Sequence, residues 1–400
     1  MGQVKPVNVA IIGCGTISEI YMKNLREMFH ITNLVACADL IDERAQKRAD
    51  QFGIKNMKSE EIYNSPDIDL VVNLTKPESH YEVSKKALLS GKHCVVEKMM
   101  CTTFEEALEL CDIARKENLM FGSVPDTFLG GGWQTVRHYI DSGIIGKPIT
   151  MNAVITCSYQ PNTARIDCDS DNFFFPLHTG GGLPYDLGGY YLHNMINMFG
   201  TVKKVSAFGG NLYPNREYIN PRHPKYKEPY RVNTPTTMSV ILEFEIGVLC
   251  TFLISSDASV FDSFTVQGSK AMLELFNPNF FSGKILLHRQ NAIKSEEDGI
   301  GFTVDNKYRP DPDIVELPIL HGYCGNSRGI GVADMAYAIR NKRRPRMHFD
   351  LGLHALEIIH GMLKSAEMGI AYNMTTSCDR PNMRQQMIEA DDVQERTIDD

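Results

Sequence analysis

Val7-Asn-Val-Ala-Ile-Ile12-Gly13-Cys-Gly15-Thr-Ile-Ser18 is the stretch on which the reading of this chain turns. Its apolar, Val- and Ile-rich start reads as a buried strand, and a helix is expected from about Ser18. Gly13 permits a tight turn, and Gly15 leaves room for a pyrophosphate to approach the backbone. Thr16 and Ile17 carry the turn into the helix, whose free N–H groups and positive dipole end face the same space. A second apolar run, Leu34-Val-Ala-Cys-Ala38, ends at Asp39. The acid lies about 20 residues past the turn, where a carboxylate binds a ribose diol. A lone Gly-x-Gly would suit many loops. Strand, turn, helix and spaced acid together predict a dinucleotide cradle, with the small Ser18 in the third glycine position.

Charge selects the dinucleotide. Asp39 would repel the 2′-phosphate of NADP, and Leu40, not Arg, follows it. Arg44 and Lys47 lie on the next helix, within range of the ribose. NAD is expected over NADP.

The chain has 400 residues, 43% of them hydrophobic and 22% charged, with a formal net charge of −8. This is an ordinary composition for a globular protein of two or three domains. No basic block long enough for nucleic acid is present, since Asn341-Lys-Arg-Arg344 is short. The N-terminus lacks a secretory apolar region and a myristoylation pattern, and no apolar run is long enough to span a bilayer. Neither a nucleic-acid nor a membrane partner is expected. The ten cysteines are scattered without a C-x-x-C pair, which fits a reducing, cytoplasmic setting. His348, His354 and His360 are spaced off a common helix face, so no metal site is expected.

Alternating strand and helix patterns through residue 124 predict a parallel sheet covered on both faces, with ligands at the C-terminal strand ends. Three segments would then share one crevice: the Gly13 turn, Asn73-Leu-Thr-Lys-Pro77 and Glu97-Lys98. From 125 to 384 the pattern turns to period two. Met238, Val240, Leu242 and Phe244 alternate with Thr237, Ser239, Ile241 and Glu243. Without intervening helices, this predicts a largely antiparallel sheet with one free face, a surface suited to oligomerisation. Residues 385–400 hold six acids and read as an acidic tail.

Two signals carry chemistry. Lys98 follows an apolar strand; there it can hydrogen-bond a reacting hydroxyl, or equally be a surface lysine. In Gly180-Gly-Gly-Leu-Pro-Tyr-Asp186-Leu-Gly-Gly-Tyr190-Tyr-Leu-His193, the residues Asp186, Tyr190 and His193 fall on one face of an ideal helix. They can orient a polyol and relay a proton, or equally be a capped helix start with satisfied side chains.

With these residues in view, the chain resembles the Gfo/Idh/MocA oxidoreductases from about residue 7 to 370. The resemblance rests on Gly13-x-Gly15, Thr75-x-Pro77-x-x-His80, Gly91-Lys-His93 leading to Glu97-Lys98, Gly146-x-Pro148, Gly180-Gly-Gly182 with Asp186-x-Gly188-x-Tyr190, and Arg328-Gly-x-Gly-x-Ala-Asp334. It implies an α/β chain: an N-terminal Rossmann domain, then an α+β domain whose open-faced, mostly antiparallel sheet builds homodimers or homotetramers. Thr75, Pro77, His80 and Glu97 join Gly13, Gly15, Thr16, Ile17 and Asp39 as expected cofactor contacts. Lys98, Asp186 and Tyr190 take the family's catalytic positions. The chain departs from the pattern at Met99, where members carry Pro, and at His193, where many carry a second Asp.

The expected reaction passes hydride between a ring hydroxyl of a sugar, glycoside or cyclitol and NAD. Lys98 meets the hydroxyl, and Tyr190 or His193 takes its proton, with His193 closer to neutral in its ordinary pKa. His178 and Asp126 are expected as outer substrate contacts. Phe173-Phe-Phe-Pro176 either lines the site or is core. A redox-neutral glycosidase or epimerase with retained NAD, and a non-catalytic dinucleotide sensor, are the alternatives.

Overall fold

The computed structural model describes residues 5–157, 182–218, 221, 224–289 and 313–384. The N-terminal unit runs β1 (Val7–Ile12), α1 (Ser18–Glu27), β2 (Thr32–Ala38), α2 (Asp42–Phe52), β3 (Lys55–Asn56), α3 (Ser59–Asn64), β4 (Leu70–Asn73), α4 (Pro77–Leu89), β5 (His93–Val96), α5 (Phe104–Lys116) and β6 (Phe121–Ser123). All its strand pairs are parallel, in the order β3-β2-β1-β4-β5-β6. Parallel strands under helices on both faces read as unbroken apolar runs, and Leu70, Val71 and Val72 are accordingly buried. The connections reverse direction on either side of β1. The Gly13 turn after β1 and the loop after β4 therefore border the crevice where such sheets bind ligands.

Helix boundaries follow local chemistry. Pro77 opens α4 at a position where its missing N–H costs nothing. Thr103 caps α5 by accepting from the Glu106 amide at 3.3 Å, and the Glu106 carboxylate accepts from the Thr103 amide at 3.3 Å.

The second unit begins with α6 (Gly131–Asp141), β7 (Pro148–Thr156), α7 (Gly189–Phe199), β8 (Val202–Gly210), β9 (Asn215–Glu217) and β10 (Pro229–Arg231). It continues with β11 (Thr237–Phe244), β12 (Leu249–Ser255), β13 (Phe261–Gly268), β14 (Ala271–Leu275), β15 (Ile285–Arg289), β16 (Asp313–Leu317), α8 (Ile330–Asn341), α9 (Phe349–Met368) and β17 (Tyr372–Asn373). Nine of the strands form one sheet, in the order β16-β15-β14-β13-β7-β12-β11-β8-β17. Every pairing in it is antiparallel except β12 with β7.

Alternation sorts the two faces of this sheet. Met238, Val240, Leu242 and Phe244 are buried on the helix-covered face, each worth about 1.5–3 kcal/mol relative to exposure. On the other face Phe208 is 78% exposed, with Ile241 and Leu249 also in the open. Helix α9 joins the units, packing on β8 of the large sheet and on α5 and β6 of the first. No helix among the described residues is long and apolar enough to cross a membrane. The acidic segment 385–400 lies outside the described residues.

Candidate active site

The glycine turn is built around one obligatory glycine. Gly13 has φ +104°, and a Cβ there would come within 2.6 Å of the Leu74 backbone. Gly15 differs: a Cβ would meet nothing within 4 Å, so its surroundings are open. Thr16 is exposed and Ile17 half-buried beside that space. Ser18 is buried and donates to the Gly15 carbonyl at 2.6 Å, which locks turn to helix in place of a third glycine. Asp39 reaches back to the same turn. Its carboxylate accepts from the Cys14 amide at 2.7 Å and from the Ile41 amide at 2.8 Å. A carboxylate, an open glycine and a helix N-terminus fit a dinucleotide's ribose and pyrophosphate. Leu40 beside Asp39 is fully exposed, and Ile41 is exposed as well. This apolar pair suits the face of a flat base; it was not singled out in sequence, where its only signal is its place after the acid.

The loop after β4 is tied down from within. Buried Asn73 accepts from the Thr75 hydroxyl at 2.6 Å and donates to the His80 carbonyl at 3.0 Å. His80 was expected to touch cofactor; it is buried instead. Its Nδ1 lies 2.8 Å from the Met99 carbonyl and its Nε2 3.1 Å from the Thr75 carbonyl. The ring thus braces the loops after β4 and β5, and burial lowers its pKa.

Lys98 stands at the end of β5 with its side chain only 8% exposed. Its Nζ donates to Asp186 Oδ1 at 2.6 Å and to the Asp186 carbonyl at 2.6 Å, and lies 5.3 Å from the Tyr190 ring centroid. Burial pulls the Lys98 pKa down, but the charge of Asp186, with Tyr190 and Glu97, overrides it and holds the ammonium above its ordinary range. Glu97 accepts from the Lys98 amide at 2.9 Å and from the Tyr21 hydroxyl at 3.2 Å, so it shapes this corner from below. Met99 replaces the usual proline, is buried, and packs its sulfur on α7, where a Cβ on Gly189 would approach Met99 Sδ to 2.7 Å.

Asp186 lies in a π-helical turn, Pro184–Gly188, that precedes α7. Such turns slip the helical register by one residue and recur at functional sites. Asp186 and Tyr190 flank Lys98, but His193 does not join them. It is fully buried, its Nδ1 lies 2.9 Å from the Gly189 carbonyl, and its ring packs 6.3 Å from that of Phe128. Burial pushes its pKa down to about 4, leaving a neutral core imidazole. This corrects the expectation that His193 shares the catalytic face. Burial raises the pKa of Tyr190, against the lowering effect of Lys98 and Arg328.

Asp126 is also not at a substrate surface. It is buried and accepts from the Gly329 and Gly331 amides at 2.9 and 3.1 Å, capping α8. Burial pushes its pKa up to about 6. The loop it holds carries Arg328, to which the sequence motif gave no role and whose side chain donates to Asn326 Oδ1 at 2.9 Å and to Asn279 Oδ1 at 3.1 Å. His178 and Phe173–Pro176 lie outside the described residues.

Comparison with known proteins places this geometry. Residues 7–123 match the family profile "Oxidoreductase family, NAD-binding Rossmann fold", and residues 133–274 match "GFO/IDH/MocA C-terminal domain". An uncharacterized oxidoreductase of Schizosaccharomyces pombe is 29% identical over 206 residues, 50% of this chain and 54% of the relative. The inositol 2-dehydrogenase/D-chiro-inositol 3-dehydrogenase of Lactiplantibacillus plantarum is 27% identical over 38% of this chain and 45% of its own length. The chain spans about half the length of the curated relatives it matches. Among solved structures, an NAD binding oxidoreductase from Klebsiella pneumoniae superposes with a TM-score of 0.76 at 18% identity, covering 93% of this chain and 99% of that one. Levoglucosan dehydrogenase in complex with NADH and levoglucosan gives 0.74 at 18% identity, covering 93% and 100%. The two profile matches, on a Rossmann sheet joined to an open-faced antiparallel sheet, make this chain a member of the GFO/IDH/MocA family.

Proposed function

We propose that the protein is an NAD-dependent dehydrogenase acting on a ring hydroxyl of a sugar, glycoside or cyclitol. The observation that carries this reading is the buried Lys98 ammonium, fixed on Asp186 and set beside Tyr190 at the crevice edge. A bound nicotinamide supplies the hydride acceptor or donor. Lys98 donates a hydrogen bond to the reacting oxygen and stabilises negative charge developing there, which counts most where water is excluded. The Tyr190 hydroxyl gives its proton to that oxygen in reduction and recovers it in oxidation. Asp186 holds Lys98 charged and in place, and binds neighbouring substrate hydroxyls. Relatives named inositol dehydrogenase and D-xylose dehydrogenase support a polyol or sugar substrate. Asp39 supports NAD over NADP.

The test is a panel of free sugars, glycosides and inositols with NAD⁺ or NADP⁺, followed by absorbance of the reduced nicotinamide. Turnover with at least one polyol and a preference for NAD⁺ is expected. Bound NAD with substrate conversion but no net NADH would instead point to a redox-neutral enzyme. The free sheet face, with Phe208, Ile241 and Leu249 exposed, supports pairing with a second copy. Light scattering should find a dimer or tetramer for the native chain and a monomer for Phe208→Glu.

A further inference from the structure

Lys98 and the residue after it act on the same turn of the second unit in opposite ways. Lys98 Nζ donates to the Asp186 carboxylate and carbonyl, both at 2.6 Å. This grip draws the end of β5 toward the start of α7. Met99 stands against that pull. It is buried, and a Cβ added at Gly189, three residues after Asp186, would come within 2.7 Å of Met99 Sδ. The thioether therefore fills the notch that the missing side chain leaves. The next atom to that Cβ is Pro125 Cδ, at 3.9 Å. The glycine before it differs, since a Cβ at Gly188 would find nothing closer than 3.9 Å. The Met99 backbone is braced from the opposite side, where its carbonyl lies 2.8 Å from His80 Nδ1 of α4.

We propose that Met99 is a positioning residue for Lys98: its thioether, seated against Gly189, is the strut that sets how far the end of β5 stands from α7, and so where the ammonium meets Asp186, Tyr190 and the reacting oxygen. The inference rests on Lys98 being the group that meets that oxygen. A lysine ammonium rides on a flexible four-carbon stem. It can follow Asp186 through small shifts of the helix, so the ion pair alone does not fix its place beside Tyr190, whose ring centroid is 5.3 Å away. A steric stop does fix it, because a close-packed interior transmits strain rather than absorbing it. Methionine suits the task, being unbranched and able to fill an irregular gap. Asp186 pulls, Met99 props, and the two contacts lie one helical turn apart.

Full-length protein with ¹⁵N-labelled lysine tests this without a substrate. The Lys98 ammonium signal is the ¹H–¹⁵N peak absent from Lys98→Met. In Gly189→Ala the new methyl displaces the thioether; the peak should move, and its hydrogens should exchange about tenfold faster or more. Met99→Ala empties the notch and should move the peak too. The two changes together put a methyl back into the vacated space and should move it less than either alone. Met99→Leu keeps the bulk and should leave the peak near its native place. In polyol turnover with NAD⁺, Gly189→Ala should lower kcat by about 10- to 100-fold and leave KM for NAD⁺ within about threefold of native.

Urea unfolding of each variant separates positioning from mere filling. The Met99→Ala and Met99→Leu pair decides the question even where Gly189→Ala fails to fold. Lower stability with an unmoved Lys98 peak overturns the role given to Met99 and leaves the dehydrogenase reading standing. A moved peak with undiminished turnover in Lys98→Met sinks the Lys98 assignment instead.

Discussion

Lys98 Nζ lies 2.6 Å from Asp186 Oδ1, and the two side chains are equally buried. A buried cation keeps its charge only where a partner offsets desolvation, and here Asp186 leads that offset. Asp186→Asn should therefore drop the Lys98 pKa by at least about one unit and cut kcat/KM on the order of 100-fold. The pH–rate profile should gain an alkaline limb that native enzyme lacks. A parallel, merely lowered profile would show that Asp186 does not govern the charge on Lys98.

The two glycines of the turn make a contrasting pair. Gly13→Ala meets the Leu74 backbone and a positive φ, so it should cost at least about 2 kcal/mol of stability. Gly15→Ala meets no protein atom within 4 Å and should unfold within about 0.5 kcal/mol of native. Its dinucleotide affinity should nevertheless fall by roughly tenfold or more, because the added methyl enters the pyrophosphate space. Thermal unfolding and an NADH fluorescence titration on both variants separate the two effects. Native affinity in Gly15→Ala would move the cofactor elsewhere.

Asp126 and His193 titrate in one window with opposite signs. The Asp126 pKa is raised to about 6 in the fold, so its contribution is full below about pH 4 and is lost as pH rises through 6. The His193 pKa is lowered to about 4, so its contribution is full above about pH 6.5 and is lost as pH falls through 4. Each amounts to about 3 kcal/mol. Between pH 7 and 4, Asp126→Asn should lose roughly that much more stability than native protein, and His193→Asn roughly that much less. Urea unfolding at the two ends of the window measures both. Curves parallel to native would refute the burial-driven shifts.

His193→Asn should also leave the pH–rate profile unchanged, since the ring sits in the core. Tyr190→Phe should lower kcat by about 10²–10⁴-fold. An altered profile in the first variant would return His193 to the proton path.

The cradle was readable in sequence because backbone geometry demands particular residues at fixed spacing. Gly13 needs positive φ, and Asp39 must end the strand beside it. The large sheet was readable for a similar reason, since Met238 to Phe244 alternate in step with the pleat. What escaped had no local signature. The shared face inferred for Asp186, Tyr190 and His193 failed at its last member, because the His193 ring turns back onto the Gly189 carbonyl and packs beside Phe128, a choice that no composition announces. Asp126 caps a helix whose start lies 203 positions later in the chain, a pairing made only once the chain has folded. The short strands β3 and β17 are polar and borrow their conformation from neighbours.

The central claim is that the Lys98 ammonium stabilises the reacting oxygen beside bound nicotinamide. It is tested most directly by Lys98→Met, with NADH binding and polyol turnover measured on the same preparation. The account predicts cofactor affinity within a few-fold of native and a loss in kcat of about 10²–10³. Turnover close to native, with cofactor still bound, would contradict it.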